Sequence, residues 1–220
     1  MQETVPGIFR HDGLWEKGER MTTKVLGILG SPRRKGNTHL MVESILKGAE
    51  DAGACTEILF LDDKTIRECD GCHACWKKKP CTKNDDMNDI YERIAGSDVI
   101  VFGTPVYWYG PTALAKGLID RCVYFNCKEN REKIRNKIAI LAIPFEEDDP
   151  ATADLTVAFF KKSLGYLEMH LAGILLAPGV TKRGEIKKRE QILDTGYGMG
   201  KMVAGGTVPR NKDDGNDNER

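Results

Sequence analysis

Four cysteines, Cys69, Cys72, Cys75 and Cys81, stand within thirteen residues in the run CDGCHACWKKKPC. Thiolates spaced C-x2-C-x2-C-x5-C can converge on one centre only if the chain wraps round it, and Gly71 and Pro80 suit such a loop. Iron–sulfur clusters are held by thiolates at spacings this compact, the bacterial ferredoxin run among them. The fourth cysteine lies six residues beyond the third, so it can join the same cluster. Other readings of these residues stay open. Cys69, Cys72 and His73 spell the C-x-x-C-H pattern of haem attachment, which would need export. A zinc site usually pairs two C-x2-C knuckles across a longer spacer. A dithiol redox pair would leave two cysteines idle, and a degenerate site would keep the array but stay empty.

A second constellation is GSPRRKGNTHL, Gly30 to Leu40, between an apolar run and a helical pattern. Holding a phosphate dianion requires free backbone N–H groups at a helix N-terminus, with hydroxyls and cations around it. Ser31, Asn37 and Thr38 bring side-chain donors, Gly36 permits close backbone approach, and Arg33, Arg34 and Lys35 bring charge. The loop is not a Walker A motif: its glycine spacing is one longer and Asn37 stands where the lysine belongs. The dinucleotide fingerprint G-x-G-x-x-G is also absent. A plain polar turn capped by Asn37 or Thr38 would explain the side chains. It would not explain three consecutive cations at a helix N-terminus, which are unfavourable without an anion.

A third group follows another apolar run, in GTPVYWYGPTALAKGLIDR. A flat ring such as a flavin needs an apolar wall and backbone donors to its polar edge. Tyr107, Trp108 and Tyr109, beside Pro105, Val106 and Gly110, could supply both. Aromatics in this position could equally cap the core. The four histidines (His11, His39, His73 and His170) are scattered, and no Ser/His/Asp arrangement is present.

These groups must be held by the elements between them. Apolar runs of strand length begin at Lys24, Cys55 (to Leu61), Asp98, Lys137 and Glu168 (to Pro178). Helical periodicity runs over 38–52, 86–95, 114–123, 151–164 and 185–203. Continuous apolar strands alternating with helices predict an α/β fold with a parallel sheet covered on both faces. Five strands in this length suit the doubly wound flavodoxin-like order 2-1-3-4-5, with the cysteine-rich insert (62–86) after the second strand. In such sheets ligands bind beyond the carboxyl ends of the strands, where strand order reverses. Residues 1–22 read as an N-terminal extension, 23–203 as the domain, and the polar 204–220 as a disordered tail. Cys55, Cys122 and Cys127 read as small core residues.

Lysine plus arginine equals aspartate plus glutamate at 33 each in 220 residues. This balance argues against a global grip on nucleic acid or anionic membrane, and it leaves little charge repulsion between copies. No apolar stretch of ~18 residues exists to span a bilayer, and the first residues lack the apolar core of a secretory signal. The expected location is the cytoplasm, where seven cysteines favour metal or redox chemistry over structural disulfides.

The segments GSPRRKGNT and TPVYWYGPTALAKGLIDR resemble the flavodoxin-like NADPH-dependent FMN reductase family. That resemblance implies that Ser31, Arg33, Gly36, Asn37 and Thr38 hold the FMN phosphate, and that Pro105, Val106, Tyr107, Trp108, Tyr109 and Gly110 line the flavin. The complete cysteine array in this fold resembles the iron–sulfur flavoproteins, over roughly Lys24 to Tyr124. By that resemblance Cys69, Cys72, Cys75 and Cys81 bind a 4Fe–4S cluster, and the chain forms a homodimer or homotetramer. The implied function is electron transfer from a ferredoxin-like donor through the cluster to FMN and a small acceptor such as oxygen, peroxide or a quinone. Two other functions remain: an NAD(P)H-dependent FMN or quinone reductase with structural cysteines, and a flavodoxin-like carrier without turnover. One departure from the family is the loop IPFEEDDP (Ile143 to Pro150), which is acidic where the family is commonly glycine-rich. Lys77, Lys78 and Lys79 are expected to offset the negative charge of a thiolate-bound cluster.

Overall fold

The computed structural model describes residues 22–205. The extension expected over 1–22 and the tail expected over 204–220 lie outside them, except for Thr22, Ala204 and Gly205. Five strands, β1 Lys24–Leu29, β2 Cys55–Phe60, β3 Val99–Gly103, β4 Ile138–Pro144 and β5 His170–Ala177, form one parallel sheet in the order β2-β1-β3-β4-β5. The helices are α1 Asn37–Asp51, α2 Met87–Ala95, α3 Ala113–Arg121, the short α4 Lys128–Arg131, α5 Asp154–Tyr166 and α6 Glu190–Ala204. Among the described residues no helix is long and apolar enough to cross a membrane.

Side chains alternate across each strand, so every central strand feeds two cores. Leu26 and Ile28 of β1 meet Ile90 and Ile94 of α2, Leu118 of α3 and Phe160 of α5 on one face. Val25 and Leu29 join Met41, Val42 and Ile45 of α1 and Val203 of α6 on the other. Both faces being covered, the strands have no solvent side to carry polar residues. β2 lies at the sheet edge and is the exception. Its Cys55 is exposed rather than in the core as expected, because an edge strand leaves its outward positions uncovered.

The helices of the second face approach closely, and glycines make that possible. A Cβ on Gly200 of α6 would overlap the Ile45 carbonyl oxygen of α1 and sit 2.8 Å from the Ala49 nitrogen. In an isolated helix Gly→Ala favours folding by about 1 kcal/mol. Here Gly200→Ala is expected to destabilise by about 1–3 kcal/mol through overpacking. That would lower the midpoint of a thermal melt by roughly 2–4 °C per kcal/mol; a raised midpoint would contradict the close approach.

Leu29 stands level with Gly103 across β1 and β3, so the loops leaving these strands meet. The Gly30 N–H donates to the Gly103 carbonyl at 2.7 Å. Chain order reverses between these two strands, which makes this the crevice where ligands of such sheets bind.

Candidate functional site

A cavity of about 150 Å³ opens at that crevice, lined by Ser31, Arg33, Asn37, Thr38, Pro105, Val106 and Tyr107, with Phe145, Glu146 and Arg183 opposite. Thr112, the N-cap of α3, forms part of the framework beneath it: its hydroxyl donates to the Gly30 carbonyl at 2.6 Å and accepts from the Ala115 N–H at 3.2 Å. The Thr104 hydroxyl in turn accepts from the Thr112 N–H at 3.1 Å. These bonds tie the first and third loops together.

The start of α1 has the chemistry an anion requires. Gly36 is its N-cap without a side-chain cap, and its first turn contains no acidic residue. The N–H groups of Asn37, Thr38 and His39, and the Thr38 hydroxyl, have no hydrogen-bond partner among the described residues. Unsatisfied helix-terminal donors with no competing carboxylate are what a phosphate needs. Lys35 turns the chain with φ 54°, and its N–H donates to Nδ1 of His39 at 2.8 Å. Burial, together with Arg34 and Lys35 and against Glu43, lowers the His39 pKa, which keeps that nitrogen available as an acceptor.

Two side chains in this loop do something other than expected. The Asn37 amide donates to the Val180 and Lys182 carbonyls at 3.2 and 3.0 Å, and its oxygen accepts from the Ile186 N–H at 3.1 Å. It binds the loop after β5 to α1, so what Asn37 leaves for an anion is its main-chain N–H. Arg34 is paired with Asp63 and lies 3.4 Å over the Phe60 ring. Of the three consecutive cations, Arg33 alone lines the cavity.

The aromatic loop divides in the same way. The Tyr107 N–H and Gly110 carbonyl, and the reverse pair, bond at 2.8 and 3.0 Å. Trp108 and Tyr109 between them have φ 50° and 62°, the pattern of a type I′ turn, where asparagine and glycine are usual. The turn carries Trp108 away from the cavity into solvent, 97% exposed, and the Tyr109 carbonyl accepts from the buried Thr156 hydroxyl at 3.1 Å. Pro105, Val106 and Tyr107 line the cavity, while Trp108, Tyr109 and Gly110 do not.

All four cysteines of the array line a separate small cavity, with Tyr91, Arg121, Val123 and Tyr124. Positive φ values at Gly71 (67°), His73 (54°) and Lys78 (60°) wrap the chain round it. Cys75 is buried, Cys69 and Cys81 half-buried and Cys72 exposed. Burial pushes the Cys75 thiol up, and the neighbouring charges of Cys81 and Cys69 add to the shift. Among the described residues no three His, Cys, Asp or Glu side chains are grouped so as to hold one metal ion. A 4Fe–4S cubane makes a different demand, because each of its four thiolates binds a separate iron.

The anchor of this loop went unnoticed in the sequence. Arg121, 1% exposed, extends from the end of α3 to Asp85, 0% exposed. Its Nη1 donates to Asp85 Oδ2 at 2.5 Å and to the Arg67 carbonyl at 2.7 Å. Its Nη2 donates to Asp85 Oδ1 at 3.1 Å and to Cys81 Sγ at 3.3 Å. Burial opposes ionisation of Asp85, but the bonds from Arg121 and the main-chain N–H groups of Arg67 and Met87 outweigh it and hold the carboxyl below its usual range. Tyr91 donates to the Arg121 carbonyl at 3.0 Å. The available signal was spacing: Arg121 continues the buried face of α3 after Ala115 and Leu118. Of the lysines expected to balance the thiolates, Lys78 pairs with Glu129 at 2.5 Å on the surface.

A profile of the NADPH-dependent FMN reductase family matches residues 23–153. An iron–sulfur flavoprotein of Methanocaldococcus jannaschii is 41% identical over 98 residues, 44% of this chain and 51% of that one. One from Methanosarcina thermophila is 33% identical over 115 residues, 52% and 59% of the two chains. The chain thus spans about half the length of the relatives it matches. An NAD(P)H:quinone oxidoreductase structure from Methanothermobacter marburgensis superposes with a TM-score of 0.66 at 19% identity, covering 83% of this chain and 96% of that one, a likeness of fold.

Proposed function

The chain belongs to the NADPH-dependent FMN reductase family, and on that premise we propose that it is an electron-transfer flavoprotein holding FMN at the β1–β3 crevice and a 4Fe–4S cluster on Cys69, Cys72, Cys75 and Cys81. The observation that carries the reading is that all four cysteines face one cavity beside a buried guanidinium. The names of the relatives and the uncapped start of α1 support it. When bound, the two groups supply one-electron and two-electron transfer, on a route from a ferredoxin-like donor by way of the cluster and FMN to oxygen, peroxide or a quinone.

The protein's own part is to bind and orient. Thr38, Arg33 and the N–H groups of α1 receive the phosphate, and Pro105, Val106, Tyr107 and Phe145 provide apolar walls for the ring. Glu146 lines the same cavity, and its carboxylate disfavours a negative charge developing there. We assign the exposed aromatic turn at Trp108 to a contact between copies, in keeping with a homodimer or homotetramer.

Anaerobic purification followed by a visible spectrum, with FMN, iron and sulfide assays on one sample, tests the reading. One FMN and about four irons per chain are expected. FMN without iron or sulfide would leave an NAD(P)H-dependent FMN or quinone reductase whose cysteines are structural.

A further inference from the structure

We propose that Arg121 sets the reduction potential of the cysteine-bound cluster: held by Asp85, its guanidinium positions Cys81 and donates a hydrogen bond to the sulfur that eases reduction. This inference rests on the cluster assignment above. A buried ion pair is by itself weak evidence of a stabilising role, because desolvation offsets its attraction. Here the arrangement goes beyond what a structural tie requires. Both Asp85 oxygens are engaged and the Arg67 carbonyl fixes the second edge of the fork. A tie between loop and helix would be complete with those bonds. One further N–H is aimed at Cys81 Sγ at 3.3 Å, inside the cavity that the four cysteines line.

Reduction adds negative charge to the cluster, and a donor to a ligating sulfur stabilises the more negative state. A cation 1% exposed does so without screening by water. Of the other basic residues on this cavity, Lys83 is engaged by Asp70 at 2.7 Å nearer the surface, and His73 stacks on Trp76. Asp85 has the opposite influence: while fixing the guanidinium it cancels part of its charge. Substitutions at the two partners should therefore shift the potential in opposite directions, which loss of a merely structural bridge would not do.

The test is an EPR-monitored redox titration of the holoprotein, with iron and FMN counted in each variant. Arg121→Gln is expected to lower the cluster midpoint potential, by about 59 mV for each tenfold loss of preference for the reduced form. The FMN potential and content should not move. Asp85→Asn is expected to raise the cluster potential, and Arg121→Lys to give a value between Arg121→Gln and the wild type. A loaded Arg121→Gln protein with the wild-type potential would overturn the inference. Should Arg121→Gln fail to fold, Arg121→Lys and Asp85→Asn decide: shifts down and up respectively support it, and shifts of the same sign or none overturn it. Wild-type protein without iron would instead overturn the cluster assignment, a separate outcome.

Discussion

Replacing Arg33 with alanine is expected to weaken FMN binding by about ten- to a hundredfold while leaving riboflavin binding unchanged. A hydrogen bond to a charged group contributes about 1.5–3 kcal/mol, and about 1.4 kcal/mol corresponds to a factor of ten. Riboflavin lacks the phosphate, so the comparison separates the anion from the ring. Three consecutive cations look interchangeable in the sequence, yet their surroundings differ. Arg34 is committed to Asp63 and Phe60 outside the cavity, so Arg34→Ala should leave FMN affinity within about twofold, the range of an ordinary surface change. Fluorescence quenching of each ligand by the apoprotein measures both. Equal weakening of FMN and riboflavin by Arg33→Ala would show that Arg33 serves the shape of the pocket rather than the phosphate.

How far these features could be read beforehand depended on the distance over which each is encoded. The strands are continuous apolar runs and the helices follow 3.6-residue spacing, so both are local, and parallel order follows once they alternate. The side-chain partners of Asn37, at Val180, Lys182 and Ile186, lie more than 140 residues away and are main-chain atoms. Nothing in the identity of those three residues marks their carbonyl and amide groups as partners. The direction of Trp108 depends on two residues adopting positive φ against their own preference. Arg121 and Asp85 are 36 positions apart, each unremarkable among many charged residues. Only Arg121 could have been suspected, as an arginine on the apolar face of a short helix. The cysteine spacing, by contrast, was plain because ligands confined to one loop must lie close together in the chain.

Replacing Cys72 with alanine should produce the largest change with the least disturbance to the fold: iron and sulfide fall several-fold, with FMN still bound at one per chain. Among the four cysteines this is the clean choice. Cys75 is buried, so its truncation would open a cavity, and Cys81 is tied to Arg121. Cys72 is exposed, with its sulfur near the Thr82 hydroxyl at 3.4 Å. In the metal-free protein its removal should alter stability by no more than about 0.5 kcal/mol, as for most surface positions. A cubane deprived of one of four thiolates loses the ligand of one iron, whereas the cavity at the β1–β3 crevice shares no lining residue with the cysteine cavity. Iron, sulfide and FMN analyses beside a thermal melt check every part of this expectation. Iron retained at the wild-type level would remove Cys72 from the ligand set. Loss of both cofactors with an unchanged melt would mean that the two cavities, separate in their linings, are coupled in binding. Steady-state NAD(P)H oxidation by the same variant then separates the functions: a reductase with structural cysteines keeps its rate, while a protein fed through the cluster loses turnover with its ferredoxin-like donor.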